Sequence, residues 1–252
     1  MSLVKMKNDI TVILVSSVLP SHPKLDIIEE TIASIRHHLP DSEIILQIDG
    51  LRKEQIDRKA DYDEYKNRIL WNCLHKYKNV LPVVFDEHSH QTNMMKATID
   101  LIKTPLMLYV EGDAPLVKDE KIDWEKCIAF IMSGEANTIR FHHEGKIPLE
   151  HEGLMLGRKD KFMRTYQWSQ RPHLSTVIYY KETVLPTLRE KYFIEDTYHG
   201  VVMNAWHEYG HLGWAKHRLW IYYPNEKNIK RSYHIDGRAG GLKYTSDDEV
   251  GL

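Results

Sequence analysis

Four runs of β-branched and aliphatic residues, each ending on polar or acidic side chains, govern what this chain can fold into. They are "DITVILVSS" (9–17), "SEIILQIDG" (42–50), "NVLPVVFDE" (79–87) and "PLMLYVEGD" (105–113). Helix-forming stretches separate them. Leu25, Ile28, Ile32, Ile35 and Leu39 recur at spacings of three and four, an apolar stripe that Pro40 closes. Residues 51–78 read as a polar helix with Tyr62, Tyr65, Ile69, Cys73 and Tyr77 on one face, and "QTNMMKATIDLIKT" (91–104) as a third helix. Strict alternation of strand and helix predicts an α/β three-layer sandwich, a mostly parallel central sheet with helices on both faces. Such sheets gather ligands at the carboxyl ends of their strands. Those ends are Ser16-Ser17, Asp49-Gly50, Asp86-Glu87 and Glu111-Gly112-Asp113.

The second half is less regular. A helix is expected at 123–133, strands at 137–142, 152–156 and 174–180, helices at about 181–192 and 197–209, and a β-rich stretch at 213–223. No linker divides the chain, so 1–252 is read as one domain: a nucleotide-binding half (9–115), an acceptor-side half (116–223) and a polar, partly mobile tail (224–252).

Charge excludes some function classes. The 34 basic residues nearly cancel the 36 acidic ones, and no like-charge block suggests nucleic acid or a membrane surface as partner. No apolar run approaches the roughly 20 residues of a membrane helix. Cys73 and Cys127 read as thiols of a reducing compartment, and the expectation is a cytoplasmic protein. There is no G-x-x-x-x-G-K-[ST] loop, no G-x-G-x-x-G turn and no G-x-S-x-G elbow. P-loop, dinucleotide-binding and α/β-hydrolase readings therefore lack their defining loops.

The acids at 111 and 113 carry the functional argument. In an extended segment residues i and i+2 point the same way, so Glu111 and Asp113 converge, with Gly112 allowing close approach to the backbone. Two carboxylates suit magnesium or manganese, which take one or two from protein and the rest from phosphate and water. A solvated acidic turn is the plain alternative; the position at the end of a central parallel strand favours the metal.

At this point the sequence resembles a family. The strand-end Glu111-Gly112-Asp113 looks like the DXD motif of GT-A glycosyltransferases, with Glu where the first Asp is usual. "ILQIDG" resembles the second strand of the inverting family-two enzymes, which ends on an acid contacting uracil. "QTNMMKATI" resembles the helix before their metal strand. The resemblance covers most of 9–115. It implies a divalent metal on Glu111 and Asp113, with His234 of "SYHIDGR" as a further ligand. It also implies a nucleotide-sugar donor, a UDP-sugar above all, placed by Ser16, Ser17, Asp49, Gly50, Arg52, Gln91, Lys96, Glu111 and Arg238. Glu195-Asp196 is similar to the family's ED motif, which implies a hexosyltransferase-type, inverting reaction with Asp196 as general base and an acceptor hydroxyl of unknown identity. Helix capping is the plain reading of Asp196.

Two other readings stay open. One is a non-catalytic nucleotide-binding protein of the same fold. The other is a zinc peptidase, because "HEYGH" (207–211) fits H-E-x-x-H. That motif needs a continuous helix, and Gly210 reads better as a helix end. The histidines of "EHSHQ" (87–91) follow strand three on the donor side, where a hydrogen-bonded loop histidine is the commoner outcome; "YQWSQRPHLS" (166–175) puts Trp, Arg and His in a loop on the acceptor side, with ordinary packing of Trp168 the favoured reading over sugar stacking.

Overall fold

The computed structural model describes residues 9–224 and 229–235, together with the backbone of 244–245. Arg238 lies outside the described residues. The first half follows the alternation read from sequence. β1 (Ile10–Ser16), β2 (Ile44–Ile48), β3 (Val80–Val84) and β4 (Leu106–Glu111) are separated by α1 (Asp26–His38), α2 (Lys59–His75) and α3 (His90–Thr98). β1 is central, with β2 and β4 parallel on its two sides and β3 beyond β2.

Strand periodicity sorts the core into two layers. Val12, Leu14, Leu46, Leu108 and Val110 point to one face and pack against Ile28, Ile32 and Ile35 of α1, Tyr62, Tyr65 and Ile69 of α2, and α4 (Trp124–Met132). Ile13, Val15, Ile45, Met107 and Tyr109 point to the other, against Met94 and Met95 of α3 and Tyr198 and Val202 of α5 (Ile194–Tyr209). Alternating residues of buried strands thus fill two helical layers, which is the three-layer sandwich. One polar residue interrupts β2: Gln47 is fully buried, and its Nε2 donates to Thr98 Oγ1 at 2.5 Å.

Among the described residues the sheet has nine strands, in the order β3-β2-β1-β4-β8-β5-β9-β7-β6. Its second half adds β5 (Thr138–Phe141), β6 (Met155–Lys159), β7 (Phe162–Thr165), β8 (His173–Thr176) and β9 (Leu219–Tyr222). β8 runs antiparallel between β4 and β5, and β7 antiparallel between β9 and β6, so seven of the nine strands share one direction.

Four expectations are corrected. The helix expected over 51–78 begins as a 3₁₀ turn, Lys53–Arg58, where Arg58 Nη2 donates to the Pro20 and His22 carbonyls at 3.1 and 3.2 Å. The helix expected over 181–192 ends at Thr187, past Pro186; residues beyond it bond to α3 instead, Lys191 N to Asn93 Oδ1 at 3.1 Å and Thr92 Oγ1 to the Tyr192 carbonyl at 2.9 Å. The β-rich stretch expected at 213–223 is half helix, α6 (His211–His217), before β9. The turn strand β7 was not expected at all.

Residues 231–235 are stitched into the body. Val117 N donates to the Arg231 carbonyl, Tyr233 N to Pro115 O and Ile235 N to Asp113 O, at 3.0, 3.1 and 2.8 Å. Ser232 Oγ donates to the Phe141 carbonyl at 2.7 Å. The segment therefore bridges the continuations of β4 and β5, and β10 (His234–Ile235) pairs with β11 (Tyr244–Thr245).

Gly50 gives a direct test of this packing. A Cβ there would lie 2.2 Å from the Glu87 carbonyl carbon, so Gly50→Ala must displace the loop after β3. It should cost about 1–3 kcal/mol by urea denaturation. Gly200, mid-helix in α5 with nothing within 4 Å of a Cβ, is the control: Gly200→Ala should stabilise by roughly 0.5–1 kcal/mol.

Candidate functional site

The cleft at the carboxyl ends of β1, β2 and β4 has a volume of about 250 Å³. Nine of the residues singled out from sequence for the site line it: Ser16, Ser17, Asp49, Arg52, His88, His90, Gln91, Glu111 and Asp113. Chain topology brings them together, since parallel strands with helices between them end at one edge. Others lie elsewhere. Lys96 does not line the cleft; its Nζ reaches the Leu188 carbonyl at 3.4 Å. Gly50 is wedged against the backbone of Glu87 and His88. Tyr65, read from sequence only as part of a helix face, also lines it, its hydroxyl sharing a 2.7 Å hydrogen bond with Ser16 Oγ, as does Phe193, which the sequence did not single out.

The acid pair is built differently from an extended strand. β4 ends at Glu111, and the Ala114 N–H donates to the Glu111 carbonyl at 3.0 Å, closing a turn that carries Asp113. Both acids line the cleft because of that turn and not by strand alternation. Gly112 is needed for contact with β1: a Cβ would meet the Val15 carbonyl oxygen at 2.9 Å and Ile28 Cδ1 at 3.2 Å. The close approach is thus made by the sheet itself.

Burial pushes the Glu111 carboxyl up to about 8, with the charges of Asp113 and then Glu195 acting in the same direction. His234 and the hydrogen bond from Gln91 Nε2, 2.5 Å from Glu111 Oε1, oppose the rise. His234 Nε2 lies 3.2 Å from Asp113 Oδ2. This donor set fits a hard divalent cation: two acids on one turn, a third crowding them, and an imidazole beside them. Among the described residues no group of three His, Cys, Asp or Glu side chains could by itself hold a metal. A partial protein shell of this kind is what magnesium and manganese sites use when phosphate and water supply the remainder.

Asp49 is 2% exposed and heavily engaged. Its Oδ1 accepts from Gly50 N at 2.8 Å and Ser89 N at 2.7 Å; its Oδ2 accepts from His90 N at 3.1 Å and lies 2.9 Å from His88 Nδ1. The carboxylate folds the loop from β3 to α3 around itself. His90, with φ of +61°, then packs edge-on against Phe193 at 4.2 Å between ring centres.

Glu195 and Asp196 occupy the first turn of α5 and diverge. Glu195 is half-buried, accepts from Gln170 N at 2.9 Å, and its charge acts on Glu111. Asp196 is exposed, and Phe193 holds the N-cap position without a side-chain bond, so Asp196 is not the helix cap. The Glu195 charge also acts on Arg140, 4% exposed, whose Nη2 donates to Gln167 Oε1 at 2.9 Å; burial lowers its guanidinium to about 10.

The HEYGH segment is broken. α5 stops at Tyr209, Gly210 adopts φ of +55°, and His211 begins α6, so His207 and His211 belong to different helices. His217 is buried, with Nδ1 3.1 and 3.0 Å from the hydroxyls of Tyr179 and Tyr198. The continuous helix that a zinc peptidase needs is not formed.

No protein-family model matches the chain, and no curated protein matches it by sequence. Its fold does have solved counterparts. The S. aureus TarS 1-349 structure in complex with UDP-GlcNAc aligns with TM-score 0.52 and 11% identity, over 96% of this chain and 61% of that one. The mannosyltransferase from Pyrobaculum calidifontis in complex with GDP-Man and Mn2+ aligns with TM-score 0.55 and 12% identity, over 88% and 56%. A UDP-glucose pyrophosphorylase complexed with UDP-glucose aligns with TM-score 0.50 and 10% identity, over 92% and 94%. The chain thus spans less than two thirds of the two glycosyltransferases. At these identities the likeness is one of fold, and the fold is the GT-A type of nucleotide-sugar glycosyltransferases. No helix among the described residues is long and apolar enough to cross a membrane.

The raised Glu111 pKa makes a pH prediction for the metal-free protein. The folded state keeps that proton up to about 8, whereas an unperturbed glutamate releases it near 4.5. Between those values the native state binds more protons than the unfolded chain, so this contribution to stability is full at low pH and lost as pH rises through the window. Thermal melts in chelator should show the decline, and Glu111→Gln should flatten it.

Proposed function

We propose that this protein transfers a sugar from a nucleotide-sugar donor, a UDP-sugar in the first instance, to an acceptor hydroxyl in a reaction that needs a divalent metal. The observation that carries the reading is the convergence of Glu111, Asp113, Ser16, Ser17, Asp49 and Arg52 on one cleft at the strand ends of a GT-A-type sheet. Support for the donor class comes from the fold counterparts, which hold UDP-GlcNAc in one case and GDP-Man with Mn2+ in another. Glu111 and Asp113, with His234, would hold magnesium or manganese; when bound, the ion offsets charge on the leaving diphosphate.

The remaining roles fall to the chain's own groups. Ser16 and Ser17 border the nucleoside end, and Arg52, exposed at the cleft rim and 5.9 Å above the Phe193 ring, is available to the donor. Asp49 acts on the nucleotide chiefly through the loop it folds. Arg238 remains a candidate for the diphosphate from the resemblance alone. Asp196 is the proposed base. It takes the acceptor proton while the oxygen bonds to the anomeric carbon, and the bond from that carbon to the diphosphate oxygen breaks with its electron pair on the leaving group. Attack opposite the leaving group inverts the centre. Glu195, tied to Gln170 and facing Glu111, steadies the first turn of α5. A non-catalytic nucleotide-binding reading draws on the same exposure of Asp196 and on the engaged carboxylate of Asp49.

Calorimetry of UDP with manganese should give binding in wild type that is lost without the metal and in Asp113→Ala. Transfer assays across a panel of UDP-sugars and acceptors should find turnover that Asp196→Asn lowers by about 10² to 10⁴-fold, the usual worth of a positioned base, with UDP binding intact. Turnover unchanged in Asp196→Asn would remove it as the base, and absence of UDP binding would remove the transferase reading.

A further inference from the structure

The start of α5 poses a capping problem. The first amides of a helix have no intrahelical partner, and the residue at the cap position, Phe193, offers no acceptor; no side-chain cap bond is made from it. The acceptor comes from another element. Gln91 Oε1, at the start of α3, lies 3.3 Å from the Ile194 N–H. The other end of the same amide donates to Glu111 Oε1 at 2.5 Å. A glutamine amide has one accepting and one donating end, and these two partners fix which way round it sits. Its side chain is 7% exposed, so water competes little for either bond.

Gln91 also stands at a seam. Residues 188–194, which lead into α5, are attached to α3 by Lys96 to the Leu188 carbonyl, Asn93 Oδ1 to Lys191 N, and Thr92 Oγ1 to the Tyr192 carbonyl. Gln91 adds a further link, to Ile194 N, and continues from it to Glu111 in the cleft.

We infer that Gln91 is a positioning residue: it caps α5 from outside the helix, and the Glu111 carboxylate holds it in the capping orientation. The state of the acid on β4 is thereby read by the backbone of the turn that carries Glu195 and Asp196. This builds on the transferase reading where it concerns a metal, because a cation taking up Glu111 removes the acceptor that orients the amide. The cap and its dependence on Glu111 are properties of the protein without ligand.

Hydrogen exchange followed by mass spectrometry on the full chain tests it. In the ligand-free protein, Gln91→Ala should speed exchange in the peptide spanning 194–197 by roughly fivefold, the loss expected for one helix cap. Glu111→Ala should do the same without touching α5, and the double variant should be no faster than either alone, because the two bonds act in series. Gln91→Glu keeps an acceptor for Ile194 but offers Glu111 no N–H, and should speed exchange less than Gln91→Ala. Manganese with UDP should alter exchange at 194–197 in wild type and leave Gln91→Ala unaffected. In transfer assays Gln91→Ala should lower kcat by a larger factor than it raises donor KM. Slow exchange at 194–197 in Gln91→Ala would overturn the cap. Wild-type exchange there in Glu111→Ala, with Gln91→Ala fast, would overturn the link. If calorimetry finds no UDP binding to wild type, the transferase reading fails while these ligand-free comparisons still decide the role of Gln91.

Discussion

The parallel pairing of β1 with β4 is the constraint on which the rest of the molecule depends. Its register runs from Ile10 opposite Leu106 to Val15 opposite Glu111, and the Gly112 N–H then donates to the Val15 carbonyl at 2.7 Å. That last bond draws the chain so close that a methyl group on residue 112 would collide with the strand. β4 therefore cannot slide without withdrawing Glu111 and Asp113 from Ser16. A shift of one residue would also exchange Leu108 and Val110 with Met107 and Tyr109, moving each set to the wrong helical layer. Core packing and site geometry are secured by the same few bonds, with Thr31 of α1 adding a 2.6 Å bond to the Gly112 carbonyl.

Charge is distributed with the opposite logic. Two acids, Asp113 and Glu195, gather near Glu111, and the groups offsetting the three are His234 from one direction and Gln91 from another. A protein maximising its own stability would not leave carboxylates so crowded in a half-buried place, because each raises the cost of ionising the next. The arrangement is intelligible as a site whose balance is completed from outside.

What could be read in the sequence follows from how local its causes are. The four strands of the first half and their polar ends were legible because burial on both faces leaves a continuous apolar run, and because parallel strands must end at one edge. α1 was legible from its stripe. The antiparallel strands β7 and β8 were harder: at four residues each they are too short to show a period, and their partners lie far off in sequence. At the site, Ser16, Ser17, Asp49, Glu111 and Asp113 were accessible from strand ends, Arg52 and Gln91 only through the family resemblance, and Tyr65 and Phe193 from neither. The role of Gln91 was not accessible, since its partners are Glu111 and the backbone of Ile194. Neither was the engagement of Asp49, because three of its four donors are backbone amides, and an amide leaves no mark in a sequence. The divergence of Glu195 and Asp196 was equally hidden: the helix begins three residues earlier than its apolar spacing suggests, and that shift decides which acid faces inward.

The threading of residues 231–235 between the ends of β4 and β5 has a consequence for how the protein comes into being. Asp113 leaves the ribosome long before His234, and domains begin to organise as they emerge. The segments that become β1 to β4, with both cleft acids, emerge before His234, which is not yet there to stand beside Asp113. Only when the late segment arrives and its main chain bonds to Asp113, Pro115 and Val117 is the imidazole delivered. A chain interrupted before that point would carry a nearly entire fold and an unfinished centre.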